Sequence, residues 1–322
     1  LLDDRYGAGG TFNTSDNTGT QQPSRGDWGG ISFGPLSEGS IDQAVIAYGG
    51  GGTAIEGGFA NFDPIEIRQA NVRVANSRFE YNKSGSAGDR NGRGFIGPAT
   101  IYVRGAQPVI VNNDFLDNDG AIVSIDVNAL KSTVVPDWGR STGAIGDFSA
   151  YGDNRGPLVR ENRMSDTRKN GSTINAMAVR GGILTTESVW DDTDIVHLLT
   201  TQVIVRNFHH VGGLRLQSGV DESLVVKLQG PNAGFVAEGT ALEIDDRIGG
   251  TIQIVGMPGH PVVLTALADD SLGAGFDLFD RPQFDTNGNG IQVGAATPGA
   301  WAGITLDRYS NDRNVGVVNE RE

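Results

Sequence analysis

The sequence predicts an all-β protein, a right-handed parallel β-helix (a solenoid) with inserted loops, and three observations predict it. Its apolar residues fall in short, β-branched runs separated by Gly or Asn, each too short for a helix. Glycine is frequent, at 48 residues, while aromatic residues make up only 7%, a balance suited to short strands and tight turns. The pattern Asn-x-x-Phe-x-x-Asn occurs at Asn76/Phe79/Asn82 and again at Asn112/Phe115/Asn118, with a weaker copy through Glu161-Asn-Arg-Met164. Self-similarity of this kind is the mark of a solenoid. A β-sandwich also uses many short strands and is the alternative architecture.

Taken in order, residues 1–27 are polar and Gly-rich and read as a loop at a module boundary. Residues 28–266 form the module. Its first strands are expected at Ile31-Ser-Phe33, Ala44-Val-Ile-Ala-Tyr48, Ile65-Glu-Ile67, Val72-Arg-Val74, Ile101-Tyr-Val103, Val109-Ile-Val111 and Ile122-Val-Ser-Ile125. In a coil, equivalent side chains stack from turn to turn, so Phe79, Phe115 and Met164 are expected inside. Asn76 and Asn112 are expected at a bend, where Asn tolerates left-handed backbone and can bond the next rung. Residues 84–95 and 128–157 break the rhythm and read as insertions, the second carrying Trp138 and Tyr151. Strand-like runs resume after residue 174. Residues 219–250 are expected as a small cap, because Gly230-Pro-Asn-Ala-Gly234 is a strong turn signal.

One block occurs twice. Leu1-Leu-Asp-Asp-Arg-Tyr-Gly-Ala-Gly9, Thr11-Phe-Asn-Thr14 and Asp27-Trp-Gly-Gly-Ile-Ser-Phe33 match Leu267-Ala-Asp-Asp-Ser-Leu-Gly-Ala-Gly275, Gln283-Phe-Asp-Thr286 and Ala300-Trp-Ala-Gly-Ile-Thr-Leu306. The match continues from Asp42-Gln-Ala-Val-Ile46 to Asn314-Val-Gly-Val-Val318. Residues 267–322 therefore read as the start of a second copy, and the chain as one period of a tandem array plus an overlap. Neighbouring copies, joined end to end, are the expected partners.

The formal charge is −14 with no cysteine, which disfavours nucleic acid and anionic surfaces and excludes disulfides. No apolar run approaches the length of a membrane helix, so no membrane insertion is expected.

The sharpest chemical motif is Asp285-Thr-Asn-Gly-Asn-Gly290. Oxygen side chains at alternate positions before a Gly suit a hard cation such as Ca2+. The candidate ligands are Asp285, Asn287 and Asn289, with Asp269 and Asp270 supplying further charge; Ala296 stands where an EF-hand has its closing acid. The plain alternative is an Asn/Gly turn without metal. The acidic run Asp191, Asp192 and Asp194 reads as a solvated loop. His197, His209, His210 and His260 lack zinc-ligand spacing, and no nucleotide loop or nucleophile elbow is present.

Pro261-Val-Val-Leu-Thr-Ala-Leu-Ala-Asp-Asp270, Asp285-Thr-Asn-Gly-Asn-Gly290 and Trp301-Ala-Gly-Ile304 resemble a block recurring in giant bacterial, planctomycete-like surface proteins. So do Gly213-Leu-Arg-Leu-Gln-Ser218, Glu222-Ser-Leu-Val-Val-Lys227 and Asp246-Arg-Ile-Gly-Gly250. Those proteins are similar to parallel β-helix repeat proteins of the pectate-lyase-like class. The resemblance implies an extracellular or cell-surface repeat module and implies no catalysis. Of the signatures of polygalacturonase-like enzymes, only Asp-Asp appears, in the boundary block; Gly259-His260 is followed by Pro261, and Arg160 and Arg163 stand in no matching lyase motif. The expected function is a structural or adhesive module forming a rod or filament. The alternatives are a polysaccharide lyase or hydrolase, and a non-catalytic carbohydrate-binding module.

Overall fold

Runs of Val and Ile with single polar residues between them favour extended backbone, and the chain folds almost wholly as strands. The computed structural model describes residues 22–55, 58–85, 88–89, 95–143, 154–207, 213–239 and 249–311. Eight strands form one large sheet, in the order Ile31–Phe33, Ile65–Arg68, Ala99–Arg104, Gly120–Asp126, Thr173–Arg180, His197–Leu199, Val225–Leu228 and Val263–Ala266. Every neighbouring pair is parallel. An antiparallel β-sandwich is excluded by that register.

Between successive strands of the large sheet the chain passes through two smaller parallel sheets. In the first half these hold Glu38–Asp42, Asn71–Ala75, Val109–Val111 and Leu158–Arg160, then Val45–Ala47, Arg78–Glu80, Asp114–Leu116 and Arg163–Ser165. After Arg180 two others take over. One holds Gly182–Leu184, Gln202–Val205, Gly230–Ala237 and Trp301–Leu306; the other holds Ser188–Trp190, Gly213–Gln217 and Thr251–Val255.

The corners explain how ordinary residues make such sharp turns. Asn76 and Asn112 sit at φ 51° and 52°, as their side chains permit. Less suited residues share the geometry: Gln43 and Glu161 at the same corner, and Tyr48, Tyr81 and Asp117 at the next. Left-handed backbone costs these residues energy. Hydrogen bonds to the next turn offset it, from Asn76 N to Val111 O, Asn112 N to Arg160 O, Tyr81 N to Leu116 O and Asp117 N to Ser165 O. Stacked side chains add to this. The rings of Phe79 and Phe115 stack nearly parallel with centres 5.0 Å apart, with Met164 next in register, all three fully buried. Asn112 Nδ2 donates to Asn76 Oδ1 at 2.7 Å, and Asn82 Nδ2 to Asn118 Oδ1 at 2.8 Å.

The described parts of the interruptions are bonded to this frame, Gly85 N to Asp63 Oδ1 and Ser132 N to Glu187 O. Within residues 84–95, Gly88–Asp89 pairs antiparallel with Phe95–Ile96. Within residues 128–157, Asp137 is buried and grips Arg73, while Trp138 is 78% exposed; Tyr151 lies outside the described residues. Residues 219–250, expected as a cap, contribute Val225–Leu228 to the large sheet and Gly230–Ala237 to a smaller one. The Gly-Pro-Asn turn signal corresponds to an irregularity inside that strand, between Gly230 and Gly234. After Ala266 the chain runs back along the side of earlier turns before Trp301–Leu306 closes its sheet. Met164 N bonds Phe276 O, Asn175 N bonds Thr286 O, and Gly171 N bonds Gly288 O.

Candidate functional site

The predicted cation ligands do come near one another, around a lysine. Lys227 sits on an inner strand of the large sheet, fully buried, and its Nζ donates to the Asp269 carbonyl at 2.7 Å. Burial pushes its pKa down to about 8, against the pull of Asp270, Asp269 and Asp285. Burial raises the Asp270 carboxyl, whereas hydrogen bonds from Ser271 and then Thr265 hold Asp269 below the usual range.

The loop that carries the motif is closed by its own backbone. Asp285 Oδ1 accepts from Asn289 N and Oδ2 from Gly290 N, and Asn287 Oδ1 also faces Asn289 N. Lys169 Nζ lies 3.9 Å from Asp285 Oδ2. Asn175 Nδ2 donates to the Asp285 carbonyl, which pins the loop to the side of the sheets. Gly288, at φ 63°, has the Thr173 carbonyl 2.4 Å from where a Cβ would stand, so this position requires glycine.

Against a calcium ion, the donor set fits in part. Asp270 Oδ1 is a buried oxygen without a hydrogen-bond partner. The oxygens of Asp269 and Asp285 are already directed at N–H and O–H groups, and Lys169 and Lys227 both supply positive charge beside them. Among the described residues, no three acidic or histidine side chains converge as a metal-holding group. Asp3, Asp4 and the first-copy loop at residues 13–17 lie outside the described residues.

A second site was not singled out from the sequence. The outer face of the large sheet carries a groove of about 930 Å³. Arg68 stands opposite Arg104, and Asp126 opposite Arg180, with Val103 opposite Ile125 linking the two pairs. Tyr102 is held between two guanidinium groups, Arg180 at 4.3 Å and Arg68 at 4.8 Å from its ring centre. Arg180 is fixed by donating to Ser124 Oγ at 2.7 Å and to the Val103 carbonyl, and burial lowers its pKa. The acid in the groove's lining, Asp126, accepts the Gly105 N–H at 2.7 Å, and the buried Glu66 behind it holds Arg68 at 3.3 Å. No family model, curated protein or solved structure matches this chain. Its chemistry has to be read from these contacts alone. Two arginines flanking a tyrosine, with Arg104 beside them, make a locally cationic and aromatic surface on a chain of net charge −14, chemistry suited to an anion or a ring.

The signal for this groove was present in the sequence. Ile65-Glu-Ile-Arg68 and Ile101-Tyr-Val-Arg104 repeat at the same spacing as the Asn ladder, whose partners are 36 residues apart. An arginine closing two successive strands on one face is a stripe.

The remaining candidates fall elsewhere. Asp191, Asp192 and Asp194, expected in a solvated loop, are all buried. Their loop packs over Leu158–Arg160, where Asp194 Oδ2 accepts the Glu161 N–H and Thr193 bonds Glu222. Burial opposes ionisation of Glu222, but Arg160 and Thr193 outweigh it and hold the carboxyl below its ordinary range. His197 is buried against Trp190, and His260 closes the turn with Met257. His209 and His210 lie outside the described residues.

Proposed function

We propose that the chain is a right-handed parallel β-helix and serves as a structural or adhesive repeat module of a large bacterial extracellular or cell-surface protein, stacked end to end with neighbouring copies. The observation that carries this reading is where the repeated block falls. Ile31–Phe33 is the first strand of the large sheet and Trp301–Leu306 the last strand of another, so the two copies of this one strand stand at opposite ends of the described sheets. The rotation of the chain through its sheets supports the coil, and the strong preference of parallel crossovers supports its right hand. No described helix is long and apolar enough to cross a membrane.

The test is a two-period polypeptide, residues 1–266 followed by residues 1–322. Small-angle scattering from a stiff rod gives a maximum dimension close to twice that of the single chain and a constant cross-section. Two bodies on a free joint would overturn the proposal.

The groove on the large sheet favours a second reading, in which the module binds polysaccharide without cutting it. A groove lined, among the described residues, by a single acid, Asp126, already accepting the Gly105 N–H, supports binding over a hydrolase or lyase role. Titration with anionic and neutral polysaccharides distinguishes them: binding that weakens with salt and is lost in Arg180→Ala supports this reading. Release of new reducing or unsaturated ends would establish the enzyme instead.

A further inference from the structure

We infer that the edge of Ile31–Phe33 that pairs with no strand among the described residues is built to receive the strand equivalent to Gly230–Ala237 of a preceding copy, so that one continuous parallel sheet crosses each module boundary. The inference rests on the stacked-module reading and specifies its joint. Trp301–Leu306 is the second copy of the segment that begins at Trp28. In this chain it pairs in parallel with Gly230–Ala237: Gly234 opposite Gly303, Phe235 opposite Ile304, Val236 opposite Thr305 and Ala237 opposite Leu306. The first copy pairs on its other side, with Ile31 opposite Ile65, Ser32 opposite Glu66 and Phe33 opposite Ile67. If both copies fold alike, each uses both edges, and this chain displays one edge of each. The combined register then sets Phe235, Ile31 and Ile65 in one row, Val236, Ser32 and Glu66 in the next, and Ala237, Phe33 and Ile67 in a third.

The side chains agree with that register. Phe235 and Ala237 are buried, and Ile65 and Ile67 are fully buried, whereas Ser32 and Thr305 face outward. Ile31 and Phe33, covered by one neighbour, pack against the core. Ile304 and Leu306 are 37% and 55% exposed, apolar positions on the inward face at an open end. A following copy's Ile65 and Ile67 would cover them. The Gly234 position fits the same scheme, since a Cβ there would meet the Gly303 carbonyl at 2.4 Å, and one at Gly30 would meet the Asp63 carbonyl at 2.2 Å. Glycine is therefore needed for close approach at Gly234 and Gly30, whereas a Cβ at Gly303, with no strand on its other side among the described residues, meets nothing within 4 Å.

A geometric consequence is that the large sheets of successive copies do not lie on one another. Each follows the smaller sheet of its predecessor, and the arginine groove moves to a different face at every boundary.

The chain has no cysteine, so engineered pairs are unambiguous. In the two-period polypeptide, Val236→Cys in the first period and Ser32→Cys in the second should close a disulfide, because adjacent strands lie within bridging distance. The in-chain pair Val236→Cys with Thr305→Cys, directly opposed in the observed ladder, sets the reference rate. The pair Val236→Cys with Gly34→Cys is out of register by two residues. Closure of the first pair at the reference rate, and roughly ten-fold faster than the out-of-register pair, supports the inference. Closure no faster than the out-of-register pair overturns it. If scattering still reports a rod, that failure leaves stacking intact and removes only the shared sheet; a jointed particle removes both.

Discussion

Asn82, Asn113 and Asn118 each use both halves of a buried amide, and this ties neighbouring parallel strands together at their ends. Asn118 donates to the Phe79 carbonyl and accepts from Asn82 N and Nδ2; Asn113 donates to the Val74 carbonyl and accepts from Ser77 N. Asn118→Ala leaves two buried donors and one carbonyl without partners, and should cost about 1–3 kcal/mol per orphaned group at most, less where water enters. Urea unfolding checks it, with the exposed Arg104→Ala as a control expected to change little. The Asn ladder was legible because it repeats locally. Asn113 and Asn162 extend it at a position beside the left-handed residue, which the pattern through Asn112 had hidden. His197 illustrates what a single chain position does not disclose. It stacks on Trp190 at 5.2 Å, and desolvation depresses its pKa to about 3, with Asp192 at 3.6 Å, beyond hydrogen-bond reach. The unfolded chain takes up this proton near pH 6.5 and the folded chain only near 3, so stability falls as pH drops through that window, by about 1.4 kcal/mol per unit. His197→Leu should flatten that part of the profile, read as the difference between variant and parent urea midpoints.

At the scale of elements, the acidic loop was recognisable by its spacing, and its partner was not. Asp285-Thr-Asn-Gly-Asn-Gly290 reads as a cation loop because the ligand pattern is local. The cations beside it are Lys169, 3.9 Å from Asp285 Oδ2, and Lys227, brought from a strand far away in sequence by the packing of the returning segment. We expect Ca2+ to leave the thermal midpoint of the parent chain nearly unchanged, since these lysines already supply positive charge there. Lys227→Gln removes the buried one of these charges beside Asp269, Asp270 and Asp285, and its midpoint should rise with added Ca2+ and fall again with chelator. Equal calcium response in both proteins would return the loop to the role its sequence suggests. The groove was missed for the opposite reason. Arg68 and Arg104 are local repeats, but Arg180 joins them only because the long insertion before Leu158–Arg160 leaves the large sheet unbroken, with Gly120–Asp126 pairing directly to Thr173–Arg180. Register across an insertion of that length cannot be counted from spacing.

At the scale of the whole molecule, the parallel, all-β character follows from the short β-branched runs, and the change of smaller sheets after Arg180 does not. Once the Asn-x-x-Phe ladder ends at Met164, no repeated residue marks the corners, and the second half is held by Leu, Val and Phe whose identity varies from turn to turn. What the doubled tryptophan block does make legible is a pair of strand edges left without a partner strand among the described residues. Unpaired edges on an isolated chain invite association, so the single chain should self-associate weakly at high concentration. Leu306→Lys places a charge on the inward face of the last strand, at a residue already more than half exposed. It should abolish association in sedimentation velocity while leaving the unfolding midpoint in place. The equivalent residue in the second copy of the two-period chain is Phe33, which a following turn covers on one side. There Phe33→Lys should lower the unfolding temperature, because the charge is buried at a junction. The two substitutions differ only in whether a neighbour stands over the strand. Equal effects on stability at the two positions would mean that the end of the stack is already closed.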